Sequence, residues 1–110
     1  MKVSDISKIP FVKAVGEISD GEITSAYTSD LLSDVLANAK DESVLITIQA
    51  HKNTLAVAGI TGSDAIIICN SKEIPQDMIS AAVDSGMTLF ISEKNQFETS
   101  VAVAKLLGIC

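Results

Sequence analysis

Two short and largely apolar segments constrain the fold of this chain more than any other feature. They are Ser43–Ile48 and Asp64–Cys69. Apolar residues at nearly every position, rather than at every second one, indicate strands that are buried on both faces, as in parallel sheets. Between them, Asn53–Ile60 has the pattern of a short helix that ends near Gly59 and Gly62. Strand, helix and strand in this order predict a right-handed βαβ unit.

Helical and strand patterns alternate along the rest of the chain as well. The predicted order is helix Met1–Ile9, strand Phe11–Ile18, strand Glu22–Tyr27, helix Leu31–Ala39, strand Ser43–Ile48, helix Asn53–Ile60, strand Asp64–Cys69, a helix between Pro75 and Gly86, strand Met87–Ile91 and a last helix after Asn95. This alternation predicts the α/β class: a single-domain layered fold, residues 1–110, with a mostly parallel β-sheet flanked by helices.

Apolar residues at helical spacing predict which face of each helix packs on the sheet. The predicted faces are Leu31, Leu32, Val35, Leu36 and Ala39; then Met78, Ile79, Ala82 and Val83; and, in the last helix, Phe97, Val101, Ala104 and Leu107 or Gly108. In the strand Glu22–Tyr27, alternation predicts that Ile23, Ser25 and Tyr27 share a face.

The helix starts also have recognisable signals. Thr28 or Ser29 is predicted to cap the helix that follows it, because a hydroxyl oxygen accepts from a free helical N–H. Pro75 suits the first helical position. Asn95 followed by Glu98 resembles a capping pair.

Charge and composition argue against several functions. The net charge is −6, and the eight Lys and Arg residues form no cluster. A phosphate backbone needs a basic stripe, so we expect no binding to nucleic acid. No apolar run approaches the ~20 residues of a membrane span, and the start of the chain lacks the apolar core of a signal peptide. The two cysteines have no disulfide or metal-ligand spacing, which favours a reducing cytoplasm.

The chain is unusually apolar for its length. Apolar residues make up 47% of the sequence, and the mean hydropathy is +0.38. A small domain buries a limited fraction of its surface, so part of this apolar surplus is expected to be covered by another subunit. The simplest expectation is a homodimer.

Polar residues follow each predicted parallel strand, and strand ends of that kind line the ligand crevice of open α/β sheets. These four loops hold Thr28, Ser29 and Asp30; Gln49, His51, Lys52 and Asn53; Asn70, Ser71, Lys72 and Glu73; and Ser92, Glu93, Lys94 and Asn95. Helix N-termini at the same edge offer free N–H groups to an anion. The alternative is that loops are polar in general and that helix starts favour Ser, Asn and Asp.

His51, the only histidine, is the most distinctive residue of these loops. It can titrate near neutral pH or bind a phosphoryl oxygen, or it can be an ordinary surface residue. General acid/base catalysis by His51 with Ser29 or Asp30 is a third and less favoured hypothesis. The segment 59–64, GITGSD, lacks the ending of a phosphate loop and is interpreted as a helix stop. No metal or other cofactor is predicted, and Cys69 is interpreted as an inert buried residue.

Four segments in order, TSDLLSDVLANA, ITIQAHKNTLAVA, AIIICN and SEKNQFETSVAVAKLLGI, resemble the DRTGG domain family, best over Glu22–Ile109. The Asp-Arg-Thr-Gly-Gly letters themselves are absent, and Gln49–Asn53 occupies their place, with His51 nearest to the motif arginine. The segment NQFETS resembles a later family stretch, which makes Phe97 and Thr99 the matching positions.

The resemblance implies a fold related to the N-terminal domain of HPr kinase/phosphorylase, without kinase chemistry. Domains of this type accompany CBS domains in some pyrophosphatases and catalytic domains in phosphotransacetylases. The resemblance therefore implies a non-catalytic regulatory or oligomerising module, which senses a small anion or presents a surface to a partner protein. A binding domain for a nucleotide or phosphorylated metabolite is the alternative. The candidate ligand-binding residues are Ser29, Asp30, Gln49, His51, Asn53, Asn70, Ser71, Ser92, Phe97 and Thr99.

Overall fold

A computed structural model of residues 1–110 has one five-stranded sheet with helices on both of its faces. The elements are a 3-10 helix at Val3–Lys8, strands β1 Val12–Val15, β2 Ser25–Thr28, β3 Ser43–Thr47, β4 Ala65–Ile68 and β5 Thr88–Ser92, and helices α1 Leu32–Asn38, α2 Lys52–Thr61, α3 Gln76–Ser85 and α4 Gln96–Leu107. The strand order is β1-β5-β4-β3-β2. Strands β2 to β5 are parallel and β1 is antiparallel to β5. The predicted α/β class with a mostly parallel sheet is confirmed.

The central strands divide their side chains between two apolar clusters. On β3, Val44 and Ile46 pack on one side of the sheet with the 3-10 helix and Val103 of α4. Leu45 packs on the other side with residues of α1, α2 and α3. All residues of β3 and β4 are buried, as the continuous apolar runs predicted, because helices cover both faces. No helix of the chain has both the length and the apolar character that crossing a membrane demands.

The helix ends follow the sequence signals closely, with two corrections. Asn95 accepts from the Glu98 N–H at 2.8 Å, as predicted. The predicted stops at Gly62 and Gly86 are left-handed C-caps. The first correction is that α1 is preceded by Leu31 instead of a capping Thr28 or Ser29. The second is that Pro75 is the N-cap of α3 rather than its first residue; its extended ψ of 148° places it just outside the helix.

The prediction for the strand before α1 was also partly wrong. Strand β2 begins at Ser25, and the segment before it makes an isolated bridge between Glu22 and Lys2. Ile23 lies in the cluster of the 3-10 helix, whereas Tyr27 packs against the opposite cluster. The two residues therefore do not share a face. Ile23 lies before β2, next to the bridge at Glu22, so the alternation of the strand does not extend to it.

Helix α4 buries a different face from the predicted one, and α1 buries only part of its predicted face. In α4 the buried residues are Thr99 and Val103, and Phe97 is 75% exposed. In α1 only Val35 of the predicted face is fully buried, while Leu36 is 49% exposed. In α3, Met78 and Ala82 are buried as predicted, but Val83 is exposed, like Leu31 before α1.

Asp64 and Asp41 lie at the amino-terminal edge of the sheet, just before β4 and β3. Burial, reinforced by the negative charge of Asp41, raises the pKa of the Asp64 carboxyl. A carboxyl whose pKa is higher in the folded chain than in the unfolded chain stabilises the fold when protonated. That contribution is present below the unfolded pKa, about 3.9, and is lost as the pH rises through the folded value.

Asp64→Asn is therefore expected to raise the free energy of unfolding at pH 7 and to leave it unchanged near pH 3 (about one unit below the unfolded pKa). Urea denaturation at both pH values measures this difference. Asp77→Asn removes the same charge from the exposed first turn of α3 and serves as the control. Equal effects of the two variants at pH 7 would contradict the assignment to Asp64.

Candidate functional site

The parallel register brings the carboxyl ends of four strands to one edge of the sheet. Thr28 of β2 is level with Ile46 of β3, and Thr47 of β3 is level with Ile68 of β4. Ile68 is level in turn with Ile91 of β5. The four polar loops that follow these strands therefore lie side by side. We call this surface the carboxyl edge.

Asp30, in the loop after β2, is the centre of a hydrogen-bond network at the carboxyl edge. Its Oδ1 accepts from the backbone N–H of Ile48 at 3.2 Å and from the Thr47 hydroxyl at 3.4 Å. Its backbone carbonyl accepts from the Gln49 side-chain amide at 3.1 Å. Asp30 thus ties the end of β2 to the end of β3, and Gln49 is engaged in the same network.

The start of α4 closes this network from the other side. The Gln96 side-chain nitrogen donates to Asp30 Oδ2 at 3.2 Å. Because the amide nitrogen must face the carboxylate, the Gln96 Oε1 is left buried without a hydrogen-bond partner. The hydroxyl oxygens of Thr28 and Ser100 are 2.7 Å apart and share a hydrogen bond. Helix α4 is therefore held across the end of β2 by two polar contacts.

Ser92 and Thr99, two of the predicted site residues, face the interior. Their hydroxyl oxygens are 2.8 Å apart, and both residues are fully buried. The Ser92 hydroxyl oxygen also accepts from the Lys94 N–H at 3.2 Å. Cys69 is buried nearby, and burial raises the pKa of its thiol, as expected for an inert residue. The Ser92–Thr99 pair positions the loop between β5 and α4 and is not accessible to a ligand.

Asn70 and Ser71 join two of the loops through their backbones. The Asn70 N–H donates to the Lys94 carbonyl and the Ser71 N–H donates to the Ser92 carbonyl, both at 2.8 Å. Both residues have positive φ, 66° and 52°. The backbone of this loop thus joins it to the loop after β5, and the Asn70 and Ser71 side chains are exposed to solvent.

His51 and Asn53 lie at the start of α2 and are exposed. The His51 side chain does not cap the helix, so the first turn of α2 keeps free N–H groups and the positive end of its dipole. No hydrogen bond joins His51 to Ser29 or Asp30 in the chain. Ser29 instead accepts from the Leu31 N–H at 3.2 Å. The geometry thus gives the acid/base hypothesis no pair of groups in contact.

Three lysines at the carboxyl edge were not among the predicted site residues. Lys52, Lys72 and Lys94 are exposed and follow β3, β4 and β5 in turn. They share this edge with the carboxylates of Asp30, Glu73 and Glu93. The signal was present in the sequence, since one lysine follows each of these three strands, but lysines in polar loops are common and nothing in the pattern singled these out.

The carboxyl edge is an open polar surface. The chain has four surface concavities, and none is lined by the four loops. One of them has a volume of about 330 Å³ and lies between the end of β1 and α3, with Ile18, Ile79 and Val83 in its wall. A ligand at the carboxyl edge would therefore bind on an exposed face and not in an enclosed cavity.

Comparisons with known proteins point to one fold. No protein-family model matches the sequence. No curated protein matches it either. Among solved structures, the chain is similar to the CBS and DRTGG domains of the regulatory region of a Clostridium perfringens pyrophosphatase, determined with its activator diadenosine tetraphosphate. The TM-score is 0.67 at 10% sequence identity, and the match covers 90% of this chain and 44% of that chain. The fold is therefore DRTGG-like, as the sequence resemblance predicted.

Proposed function

We propose that this chain is a non-catalytic regulatory module that binds a nucleotide or another phosphorylated ligand at the carboxyl edge and acts as a homodimer. The observation that carries the proposal is its fold, which it shares with part of a regulatory region that was determined in complex with a nucleotide activator. A module of this kind changes the state of a partner by binding a ligand and needs no reacting groups. The same proposal places the protein in the reducing cytoplasm.

The chemistry of the carboxyl edge supports an anionic ligand. The chain has a net charge of −6, yet Lys52, Lys72 and Lys94 stand on three adjacent loops of this edge. The uncapped start of α2 adds N–H donors beside Lys52. Phosphate oxygens accept from both kinds of donor, and His51 and Asn53 can add side-chain contacts.

The interior contacts support a rigid platform rather than a catalytic centre. The carboxylate oxygens of Asp30 already accept hydrogen bonds from Ile48, Thr47 and Gln96. His51, the only histidine of the chain, makes no side-chain hydrogen bond to another residue of the carboxyl edge. A base that activates a nucleophilic side chain lies within hydrogen-bond reach of it, and no such pair involves His51. A protein-interaction module without any small ligand is the second candidate, favoured by the exposed apolar residues of α1 and α4.

A thermal-shift series tests the ligand directly. Diadenosine tetraphosphate, ATP, ADP and inorganic phosphate are compared with chloride at equal ionic strength. A ligand at about 100 times its Kd stabilises the folded state by about 2.7 kcal/mol, which raises the Tm of a domain of this size by roughly 10 °C. We expect such a shift with at least one nucleotide, and we expect Lys52→Ala and His51→Ala to reduce it to less than about half.

Lys40→Ala is the matched control. Lys40 is equally exposed but precedes β3, so its removal deletes one positive charge from the opposite edge. The shift should survive in this variant. No shift with any probe would remove ligand binding from the proposal and favour the interaction module. An equal loss in Lys40→Ala and Lys52→Ala would show a general charge effect and not a site.

A further inference from the structure

The outward face of α4 is more apolar than an exposed helix face requires. Phe97, Val101 and Ala104 lie on it, and Gly108, the left-handed C-cap of α4, continues the line at intervals of four, three and four residues. We call these four residues the outer α4 stripe. Phe97 is 75% exposed, and the buried face of α4 is formed instead by Thr99 and Val103. A helix that is apolar on both sides is normally buried on both sides. Within the chain Val101 and Ala104 are partly buried, whereas Phe97 and Gly108 are exposed.

We propose that the outer α4 stripe is the interface at which a second copy of this chain binds, with the two α4 helices antiparallel about a two-fold axis. The spacing of the stripe is that of the apolar seam of a coiled coil. This inference names the surface of the homodimer and rests on the homodimer in the proposed function.

Charge complementarity selects a second copy in the antiparallel orientation. Glu98 and Lys105 flank the stripe on the same side of α4, seven residues apart, and both are exposed. The chain has only two ion pairs, and neither involves these residues. Antiparallel helices bring Glu98 of each copy near Lys105 of the other. In a parallel two-fold pair, Glu98 and Lys105 of one copy would lie on the opposite side of the seam from those of the other copy, so no such pair would form.

Side-chain size is also complementary in this orientation. With the two-fold axis beside the midpoint of Val101 and Ala104, the large Phe97 lies over Gly108 of the second copy, and Val101 lies over Ala104 of the second copy. A Cβ at Gly108 would have no neighbour within 4 Å, so the space that Phe97 would occupy is open. Large residues opposite small ones allow two helices to interdigitate.

The apolar surface continues beside the stripe. A shallow groove of about 270 Å³ has Phe11, Val101 and Ala102 in its wall and lies between Glu98 and Lys105. Ile109, just beyond the end of α4, is 76% exposed. A stable interface needs about 800 Å² from each partner, and the total surface of the chain is 5687 Å². A single three-turn helix with these neighbours is a small contact surface, so we expect weak association, with a dissociation constant in the micromolar range (~1–50 µM).

The test is sedimentation equilibrium of the full chain over a series from about 1 to 100 µM. Wild type is expected to approach twice the chain mass of 11.5 kDa. Phe97→Asp should weaken the dimer by at least about a hundredfold, since each copy places a phenylalanine in the interface. Ile60→Asp on α2 is the matched control, because Ile60 is 73% exposed on another helix. Circular dichroism checks that both variants remain folded.

A charge exchange then tests the orientation. Glu98→Lys and Lys105→Glu should each weaken the dimer by about tenfold, because each places like charges in contact twice. The double variant should return to within about threefold of wild type. If wild type is a monomer throughout, both the proposed homodimer and this interface are wrong. If Phe97→Asp leaves the dimer intact, or Ile60→Asp disrupts it equally, the homodimer stands and this interface is wrong.

Discussion

Phe90→Ala is expected to lower the free energy of unfolding by about 3–5 kcal/mol, which is a large share of the stability of so small a domain. Phe90 is fully buried at the centre of β5, level with Ala14 of β1 and Ile67 of β4. The ring fills the space between the sheet and the layer that holds the 3-10 helix and α4. Shortening it leaves a cavity that close-packed neighbours cannot fill.

Urea denaturation followed by circular dichroism measures the loss, with a fall in Tm of roughly 15 °C or more as a second readout. Phe97→Ala is the matched control, because it removes the same ring from a position that is 75% exposed. It should cost less than about 1 kcal/mol at concentrations where the chain is monomeric. A similar loss in both variants would mean that Phe97 is packed as the sequence pattern predicted.

Asp30→Ala is expected to destabilise the fold by about 3 kcal/mol, the second largest effect. The change removes the acceptor for the Ile48 N–H, the Thr47 hydroxyl and the Gln96 amide. Each buried or partly buried donor that loses a charged acceptor lowers the free energy of unfolding by about 1–3 kcal/mol. Water at the edge of the sheet can bond some of these donors and so reduces the total loss. The variant should also loosen α4, which is measurable as faster amide exchange in its first turn.

Asp30→Asn separates shape from charge. The asparagine keeps one acceptor oxygen for the Ile48 N–H, and its amide can donate to Gln96 Oε1, the atom that has no partner in the native network. We expect it to cost less than about half as much as Asp30→Ala. Asp77→Ala, on the exposed start of α3, controls for loss of charge. If Asp30→Ala is no more destabilising than Asp77→Ala, Asp30 does not hold the carboxyl edge together.

The parts of the fold that were predictable from sequence are the segments whose own residues are compatible with only one local structure. The runs at Ser43–Ile48 and Asp64–Cys69 are too apolar and too short to be anything but strands covered on both faces. Asn95, Gly62 and Gly86 fix helix ends through local hydrogen bonds and left-handed backbone. These local causes do not depend on the rest of the chain.

The face that α4 buries could not be predicted, because the helix offers two apolar faces. Phe97, Val101 and Ala104 make a pattern as regular as the one that contains Val103, and larger side chains favoured the first. The contact that decides between them is polar and distant in sequence. Thr99 forms a hydrogen bond with Ser92, and Gln96 forms one with Asp30. These contacts turn the face that contains Phe97 toward solvent.

The meeting of the polar loops at one edge was predictable from the sequence, whereas the structural roles of the individual residues there were not. Polar loops after parallel strands meet at one edge whatever their sequence, so the grouping of His51, Asn53 and Asn70 needed only the strand direction. The roles of Asp30 and Ser92 as buried or partly buried supports depend on which loops are neighbours. That information lies in the strand order, which periodicity alone does not contain.

The order of the strands has a consequence for how the chain acquires its structure. Strands β2, β3, β4 and β5 are neighbours in space in the same order as they are in sequence. Each new strand can therefore add to the one made just before it as the chain leaves the ribosome. Strand β1 is different, because its partner β5 is separated from it by most of the chain. We expect the closing of β1 onto β5, together with the docking of α4, to be the late and slow event of folding, since the longest loop is closed there.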